Sequence, residues 1–329
     1  MGGDDAPRPI VDGALSAVRH LPIGVRLVGR ADAVRAELGR HGDVSALAVE
    51  VIDAPDVVGM AESPSAALRR KPRSSIRLTS ESVARGESRA MFSAGSTGAT
   101  VMAAYGALGL LPGVDRPALA TTIPTRERAA VLLDAGANIE CRPQHLLQFA
   151  VMGSVYAQVA LGIERPRVGL LSIGEEETKG TDLIREAHQL LKSGPVHFIG
   201  NVEGRDVYGG HADVIVCDGF TGNVALKISE GLVDTVEHLL GEELQSTFST
   251  RVGYLLSLRA FRRFRKRVDY SEYGGAPLLG TAGVVVVGHG RSSVKAIRNA
   301  VAQAARFAGD GGWSRMQRDM LTVGRTDPS

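Results

Sequence analysis

The sequence predicts an α/β protein, a mainly parallel sheet enclosed by helices in three layers, with one helical insertion. Two observations carry that prediction. The apolar runs are continuous Val/Ile/Leu stretches rather than alternating ones, the pattern of strands covered on both faces. Between them lie segments with helical periodicity, which supply the crossovers of a parallel sheet.

Taken in order, the chain opens with "MGGDDAP", a tight turn, followed by a helix carrying Ile10, Val11, Ala14, Leu15 and Val18. Val25–Val28 runs into Gly29, and Ala46–Ala54 into a Pro-containing loop. The run at Arg89–Ala99 breaks at Gly95, and Val131–Asn138 breaks at Asp134 and Gly136. Arg167–Gly174 opens an acidic loop; Val196–Asp206, Asp213–Asn223 and Val284–Ser293 complete the strands. Helical patterns at Thr97–Leu111, His145–Leu161, Thr181–Leu191 and Val294–Phe307 connect them. From about 224 to 268 the pattern is helical throughout, too long for one crossover, and predicts two antiparallel helices joined near Gly253. Residues 1–308 are therefore expected to form one α/β domain, and the glycine-rich, polar residues 309–329 a fraying tail.

Composition narrows the functions. The chain has 329 residues, 44% of them hydrophobic, enough for an ample core. A net charge of +2 supplies no global field for nucleic acid. Cys141 and Cys217 share no metal-type spacing and read as reduced thiols, so neither a metal nor a disulfide is expected. No uncharged apolar run reaches about 18 residues, and no secretion signal opens the chain. A cytosolic protein is the expectation.

In an open parallel sheet, ligands bind beyond the carboxyl ends of the strands. Gly95-Ser96-Thr97-Gly98, Gly136-Ala137-Asn138, Gly219-Phe220-Thr221-Gly222-Asn223 and Gly288-His289-Gly290 sit there, several immediately before a helix. Helix N-termini and exposed amides favour a phosphate or another small oxyanion. Glycines that merely permit tight turns would look the same in any one loop. Nucleotide fingerprints fail: "GHGRSS" lacks the third glycine, and "GEEETKGT" places Lys179 before Gly180 rather than after it. No G-x-S-x-G elbow is present. Cys217 at a strand end reads as a small buried hydrophobe rather than a nucleophile. Lys179 follows Glu175–Glu177, so it is either the cation over an anionic substrate or a solvated lysine paired with its neighbours.

Together, "MGGDDAP", "ALRRK", "SAGSTGA", "DRPALATTIPT", "DAGANIECRPQHLLQFAVMGSVYA", "RVGLLSIGEEETKG", "NVEGRD", "VCDGFTGNVALK" and "DYSEYGGAPLLG" resemble the acyl-carrier-protein:phosphate acyltransferase (PlsX) family of bacterial phospholipid synthesis. The resemblance runs from Met1 to about Phe307. It implies a fold similar to phosphotransacetylases and isopropylmalate dehydrogenases, a homodimer, and no cofactor. It also implies attack of inorganic phosphate on an acyl-carrier-protein thioester, giving acyl phosphate for a membrane glycerol-3-phosphate acyltransferase. Ser96, Asp5 and Glu175 stand where that family commonly has asparagine, histidine and threonine.

On this reading Lys179 neutralises phosphate or the thioester oxyanion, Asn223 donates to the same charge, and Asp218 orients one of them. Gly2, Gly3, Asp4, Ser93, Gly95, Ser96, Thr97, Gly98, Asn138, Asn201 and Glu203 are the expected phosphate or substrate contacts. An oxidoreductase on the related dehydrogenase fold is the alternative. Within 251–267 there are seven basic residues and no acidic one. Leu255, Leu258 and Phe261 fall on one side of that helix, and Arg262, Arg263, Arg265 and Lys266 largely on the other. Such a helix suits an anionic membrane surface or an acidic carrier protein. Contact with the inner face of the membrane would be peripheral and reversible. Finally, a strand is expected to precede Gly2-Gly3-Asp4, so the chain reads as shortened at its start, with neighbouring backbone left unpaired.

Overall fold

The computed structural model describes residues 1–268, 274–309 and 311–323, without the side chains of 265–268 and 322–323. Its elements run α1 (Arg8–His20), β1 (Val25–Gly29), α2 (Ala31–Gly39), β2 (Val49–Asp53), α3 (Pro64–Arg70), α4 (Ser75–Ala84), β3 (Ala90–Ser93) and α5 (Thr97–Leu108). Then come β4 (Ala118–Leu119), β5 (Thr121–Pro124), β6 (Ala129–Leu133), α6 (Pro143–Leu161), β7 (Arg167–Leu171), α7 (Asp182–Ser193), β8 (His197–Val202) and β9 (Val214–Val216). α8 (Gly219–Ser246), α9 (Phe248–Val268), β10 (Ala276–Leu279), β11 (Val284–Val287), α10 (Val294–Gly309) and α11 (Gly312–Val323) close the chain.

The strands form three ladders in the orders β1-β2, β3-β11-β10-β4 and β5-β6-β9-β7-β8. Pairing is parallel for β1 with β2, β3 with β11, β6 with β9, and β7 with both β8 and β9. The antiparallel pairs all involve β5 or β10. These two strands, with β4, escape the sequence reading because they are short and broken by proline: Pro117 precedes β4, Pro124 ends β5 and Pro277 lies within β10. The predicted mainly parallel, helix-covered sheet is otherwise present. α6 carries the core: Leu146, Phe149, Met152 and Tyr156 are buried between the sheet and the neighbouring helices.

Two expectations are corrected. The break between the insertion helices falls at Thr247, not Gly253, which lies inside α9. Thr247 has extended backbone, and its hydroxyl accepts the Thr250 amide at 3.2 Å, a side-chain cap that a mid-helix glycine cannot supply. Residues 312–323 do not fray. Trp313, Met316 and Met320 recur at helical spacing, and both methionines are buried in the cluster that holds α6. The Trp313 indole donates to Thr281 O at 3.1 Å.

The outer edges of β1 and β3 do not pair with each other among the described residues. Both line one open cavity of about 840 Å3, together with Met1 and Gly2 and with Ile297, Val301 and Ala304 of α10.

Candidate active site

Residues 118–124 bridge the two larger ladders. Leu119 pairs with Leu278 of β10, while Thr121–Pro124 pair with β6. Val287, at the end of β11, faces Ala276. Pro277 O accepts Ala120 N at 2.9 Å, and Leu119 O accepts Ala135 N at 2.8 Å. The carboxyl ends of β11 and β6 thus converge within about three strand spacings, roughly 15 Å. Ala137, in the loop after β6, packs against the cluster that includes Ala104 and Val101 of α5. The loops after β11 and β6 are therefore neighbours.

On the β3 side, Gly2 lies so close to Gly95 that a Cβ on it would stand 2.4 Å from the Gly95 Cα. Gly3 has φ +112°, a conformation glycine adopts without strain. Asp4 N donates to Gly290 O at 2.9 Å, and its carboxylate faces Arg291 at 3.7 Å. Ser93 Oγ accepts from Gly95 N and from the Thr100 hydroxyl. Ser96 caps α5 by accepting Ala99 N. Thr97 and Gly98 are exposed in the first turn, where helix amides lack intrahelical acceptors. Amides exposed at a helix N-terminus favour an anion by their dipoles.

The opposite side is organised by Asp134, fully buried at the end of β6. Its Oδ1 accepts Leu119 N, Gly136 N and Ala137 N, and its Oδ2 accepts Asn138 N and Asn138 Nδ2, all within 3.1 Å. Burial pushes its carboxyl up from the ordinary aspartate value, and the amides of Ala137, Leu119 and Asn138 pull it back. The start of α8 is clamped to this loop. Gly219 N donates to Asn138 O at 2.7 Å, and Gly222 leaves only 1.9 Å between a would-be Cβ and Asp134 O. Sequence reasoning saw Asp134 only as a strand break. A carboxylate followed by Gly-Ala-Asn, the composition of a side-chain-capped turn, was the available signal.

That scaffold sorts the expected site residues. Asn223 is exposed on the first turn of α8, its amide nitrogen against Gly136 and 3.3 Å from Ala135 O. Asp218 caps α8, accepting Thr221 N at 2.8 Å and the Thr221 hydroxyl at 2.7 Å. The group it orients is Thr221, with no bond to Lys179 or Asn223 among the described residues. Both amide hydrogens of Asn138 are engaged, with Pro117 O and Asp134. Asn201 is buried, its Oδ1 accepting from His188 Nδ1 at 2.9 Å and its Nδ2 donating to Glu176 O at 2.9 Å. Asn138 and Asn201 thus position loops in this geometry. Glu203 pairs with Arg205 at 3.0 Å.

Lys179 is exposed and makes no ion pair among the described residues. Two of its three acidic neighbours are occupied elsewhere, Glu175 with Arg205 and Glu177 with Lys192 and His188, while Glu176 makes no ion pair among the described residues. The Lys179 amide donates to Glu176 O, so the carbonyl held by Asn201 also fixes the lysine's backbone. His188, missed in the sequence because it occupies a core position of α7, completes that support with its ring edge-on to Phe198. Of the two readings of Lys179, the free cation is the one the ion pairs favour. Cys217 is buried, and burial holds its thiol well above the ordinary value, so it is no nucleophile. Burial likewise pushes Cys141 up to about 12.

On the basic helix, Leu255, Arg262 and Arg263 are exposed, Leu258 and Phe261 half-buried, and Tyr254 and Phe261 pack ring to ring at 5.2 Å. The side chains of Arg265 and Lys266 lie outside the described residues. No described helix is long and apolar enough to cross a membrane.

The fold is similar to that of a phosphotransacetylase from Streptococcus pyogenes, with TM-score 0.64, 18% identity, and coverage of 93% of this chain and 92% of that one. A branched-chain phosphotransacylase from Enterococcus faecalis V583 is similar at TM-score 0.57 and 16% identity, covering 94% and 97% of the two chains. In sequence, the chain is 51% identical over 316 residues to the phosphate acyltransferase of Geobacter sp. (strain M21), covering 96% of this chain and 90% of that protein. Identity to the phosphate acyltransferase of Acidobacterium capsulatum is 50%, over 97% and 94% of the two chains. Residues 1–315 match the family described as fatty acid synthesis protein. With this match over nearly its whole length and about half of its residues shared with these enzymes, the chain belongs to the fatty acid synthesis protein family, alongside phosphate acyltransferases.

Proposed function

We infer that the protein transfers a fatty acyl group from acyl-carrier protein to inorganic phosphate, releasing acyl phosphate for phospholipid synthesis. The observation that carries this reading is Lys179, the exposed cation without an ion pair among described residues, on a loop braced by Asn201 and His188. Phosphate is already a nucleophile near neutral pH, so the protein needs only to position it and to stabilise developing charge. In the proposed path, a phosphate oxygen held at the first turn of α5 attacks the thioester carbonyl. Negative charge builds on the carbonyl oxygen, where the Lys179 ammonium and the Asn223 amide oppose it. Collapse breaks the C–S bond; the thiolate leaves with the carrier protein and takes a proton from water. No covalent enzyme intermediate is required, in keeping with the buried, un-ionised Cys217. The oxidoreductase alternative has no support, since the relatives are acyltransferases and no dinucleotide fingerprint is present.

The test is phosphate-dependent release of free thiol from an acyl-carrier protein, with acyl phosphate trapped as the hydroxamate. Thiol release that ignores phosphate overturns the reading. The basic face of α9 supports reversible contact with acidic carrier protein or with the inner membrane surface, and through it delivery of product to a membrane acyltransferase. A homodimer in the cytoplasm, peripherally associated with that surface, is part of the same proposal, and sedimentation with and without anionic vesicles tests it.

A further inference from the structure

The segment that begins with "ALRRK" takes no part in the chemistry described above, yet its charge is one-sided. From Ala67 to Arg77 there are five cations and no acidic residue. Three of them are paired: Lys71 with Glu62, Arg73 with Asp53 at 3.4 Å and Arg77 with Glu81 at 2.9 Å. Arg69 and Arg70, exposed at the end of α3, make no ion pair among the described residues. Each donates its Nε to a carbonyl four residues back, Ser65 O at 3.3 Å and Ala66 O at 3.4 Å. Both side chains therefore lie back along α3 toward Pro64. There α3 meets the first turn of α5, where a Cβ on Gly98 would stand 3.0 Å from the Pro64 ring. Ala67 packs with Ala99 and Ala103, holding the two helices together. The Arg69 guanidinium is thus within about two helix turns, roughly 11 Å, of the exposed Thr97 and Gly98. α5 adds apolar surface and no charge: Gly98, Met102 and Tyr105 share one face, and Met102 and Tyr105 are exposed. Arginine, methionine and tyrosine are residue types enriched where proteins bind proteins.

We propose that this α3–α5 face docks the acidic protein that presents the thioester, the carrier protein, with Arg69 and Arg70 facing its carboxylates and Met102 and Tyr105 under its apolar contacts. The proposal rests on the acyltransferase reading and adds to it the place where the protein part of that substrate sits. Three observations favour this occupant. The charge is complementary, because residues 63–80 and the whole of α5 contain no acidic side chain to repel it. The position fits as well. A carrier protein holds its thioester on an extended prosthetic arm, and a dock that touches the first turn of α5 brings that thioester within reach of the phosphate assigned there. A lipid surface is the poorer occupant. Two arginines strengthen binding to an anionic membrane only about thirtyfold, whereas residues 251–267 gather seven basic side chains.

The experiment combines Arg69→Glu with Arg70→Glu, two exposed positions whose change leaves the core intact. Octanoyl-carrier protein is compared with octanoyl-pantetheine, a thioester that lacks the protein. For the carrier-protein substrate kcat/KM should fall about tenfold or more, mostly through KM, and its dependence on salt should flatten. Octanoyl-pantetheine should be used as well as by the wild type. Direct titration with holo-carrier protein should lose affinity by a similar factor. Met102→Ser with Tyr105→Ser should weaken the same titration without altering its salt dependence. An equal fall for both substrates, or none, overturns the dock. So does loss of sedimentation with anionic vesicles at unchanged carrier-protein kinetics, which assigns the face to a membrane. Loss of carrier-protein binding on reversing Arg262 and Arg263 of α9, with the α3 variant binding normally, moves the dock to α9. If the wild type releases no thiol in response to phosphate, the acyltransferase reading falls, and the titration with carrier protein still decides the docking face independently.

Discussion

Each end of the five-stranded ladder buries one aspartate, and the two are satisfied in opposite ways. At the amino end Asp213, 2% exposed, meets the Arg167 guanidinium at 2.9 Å and Arg128 at 3.4 Å. At the carboxyl end Asp134 receives only neutral groups, four backbone amides and one carboxamide, and no cation pairs with it among the described residues. The first end uses positive charge to build the fold. The second builds its loops with dipoles alone, and Lys179 makes no ion pair among the described residues. An anion site needs this division, because a lysine already paired with a structural carboxylate stabilises little else.

The sharpest way to break the comparison is to remove each carboxylate. Asp134→Ala strands several buried donors at about 1–3 kcal/mol each. The expected loss is about 4 kcal/mol or more of unfolding free energy, read by denaturant titration. Asp213→Ala should cost less, because Arg167 is 30% exposed and can turn its guanidinium to water. If Asp213→Ala proves the more damaging, the carboxyl-end network is not the main brace of these loops.

Next in size is the effect on chemistry. Lys179→Ala removes an exposed cation and no core volume, so kcat should fall about a hundredfold or more while thermal melting stays unchanged. Arg167→Met should do the reverse, lowering the melting temperature and leaving kcat of the folded enzyme near its wild-type value. Near-wild-type acyl phosphate formation by Lys179→Ala would place the working cation elsewhere.

The sequence showed these two ends unequally, for physical reasons. The longer strands, the helices α1, α5, α6, α7 and α10 and the glycine loops were legible because they depend on local periodicity and on backbone freedom, as at Gly2 and Gly222; the short helices α2, α3 and α4 were not. Lys179 was legible only as a choice between two roles, because what its acidic neighbours pair with is decided by Arg205 and Lys192, distant in the chain. Asn138 and Asn201 look like free ligands in a motif, and only the folded geometry shows their amides already engaged. His188 was invisible, since a buried histidine on an amphipathic helix has the same periodicity as a leucine. α11 was missed because glycines drew attention away from the spacing of Trp313, Met316 and Met320.

The smallest expected effect concerns pH, and it isolates the amino end. Burial alone would raise the Asp213 carboxyl, but the hydrogen bonds and charge of Arg167 outweigh it and hold the group below its ordinary value of 3.8. A carboxylate depressed in the folded state contributes stability that is fully present above the unfolded value and is lost as pH falls through the folded one. Wild-type unfolding free energy should therefore decline as the medium is acidified below about pH 4. In Asp213→Asn that part of the slope disappears, so the difference between the two proteins narrows as acidity increases. The exposed pairs, such as Glu87 with Arg85 and Arg26, titrate in the same range but are common to both proteins and cancel in the difference. Asp134 keeps its own contribution in both as well. A gap between wild type and Asp213→Asn that stays constant from neutral pH into acid would show that Arg167 holds Asp213 by hydrogen-bond geometry alone, and the contrast between a charge-built and a dipole-built end would then lose its electrostatic content.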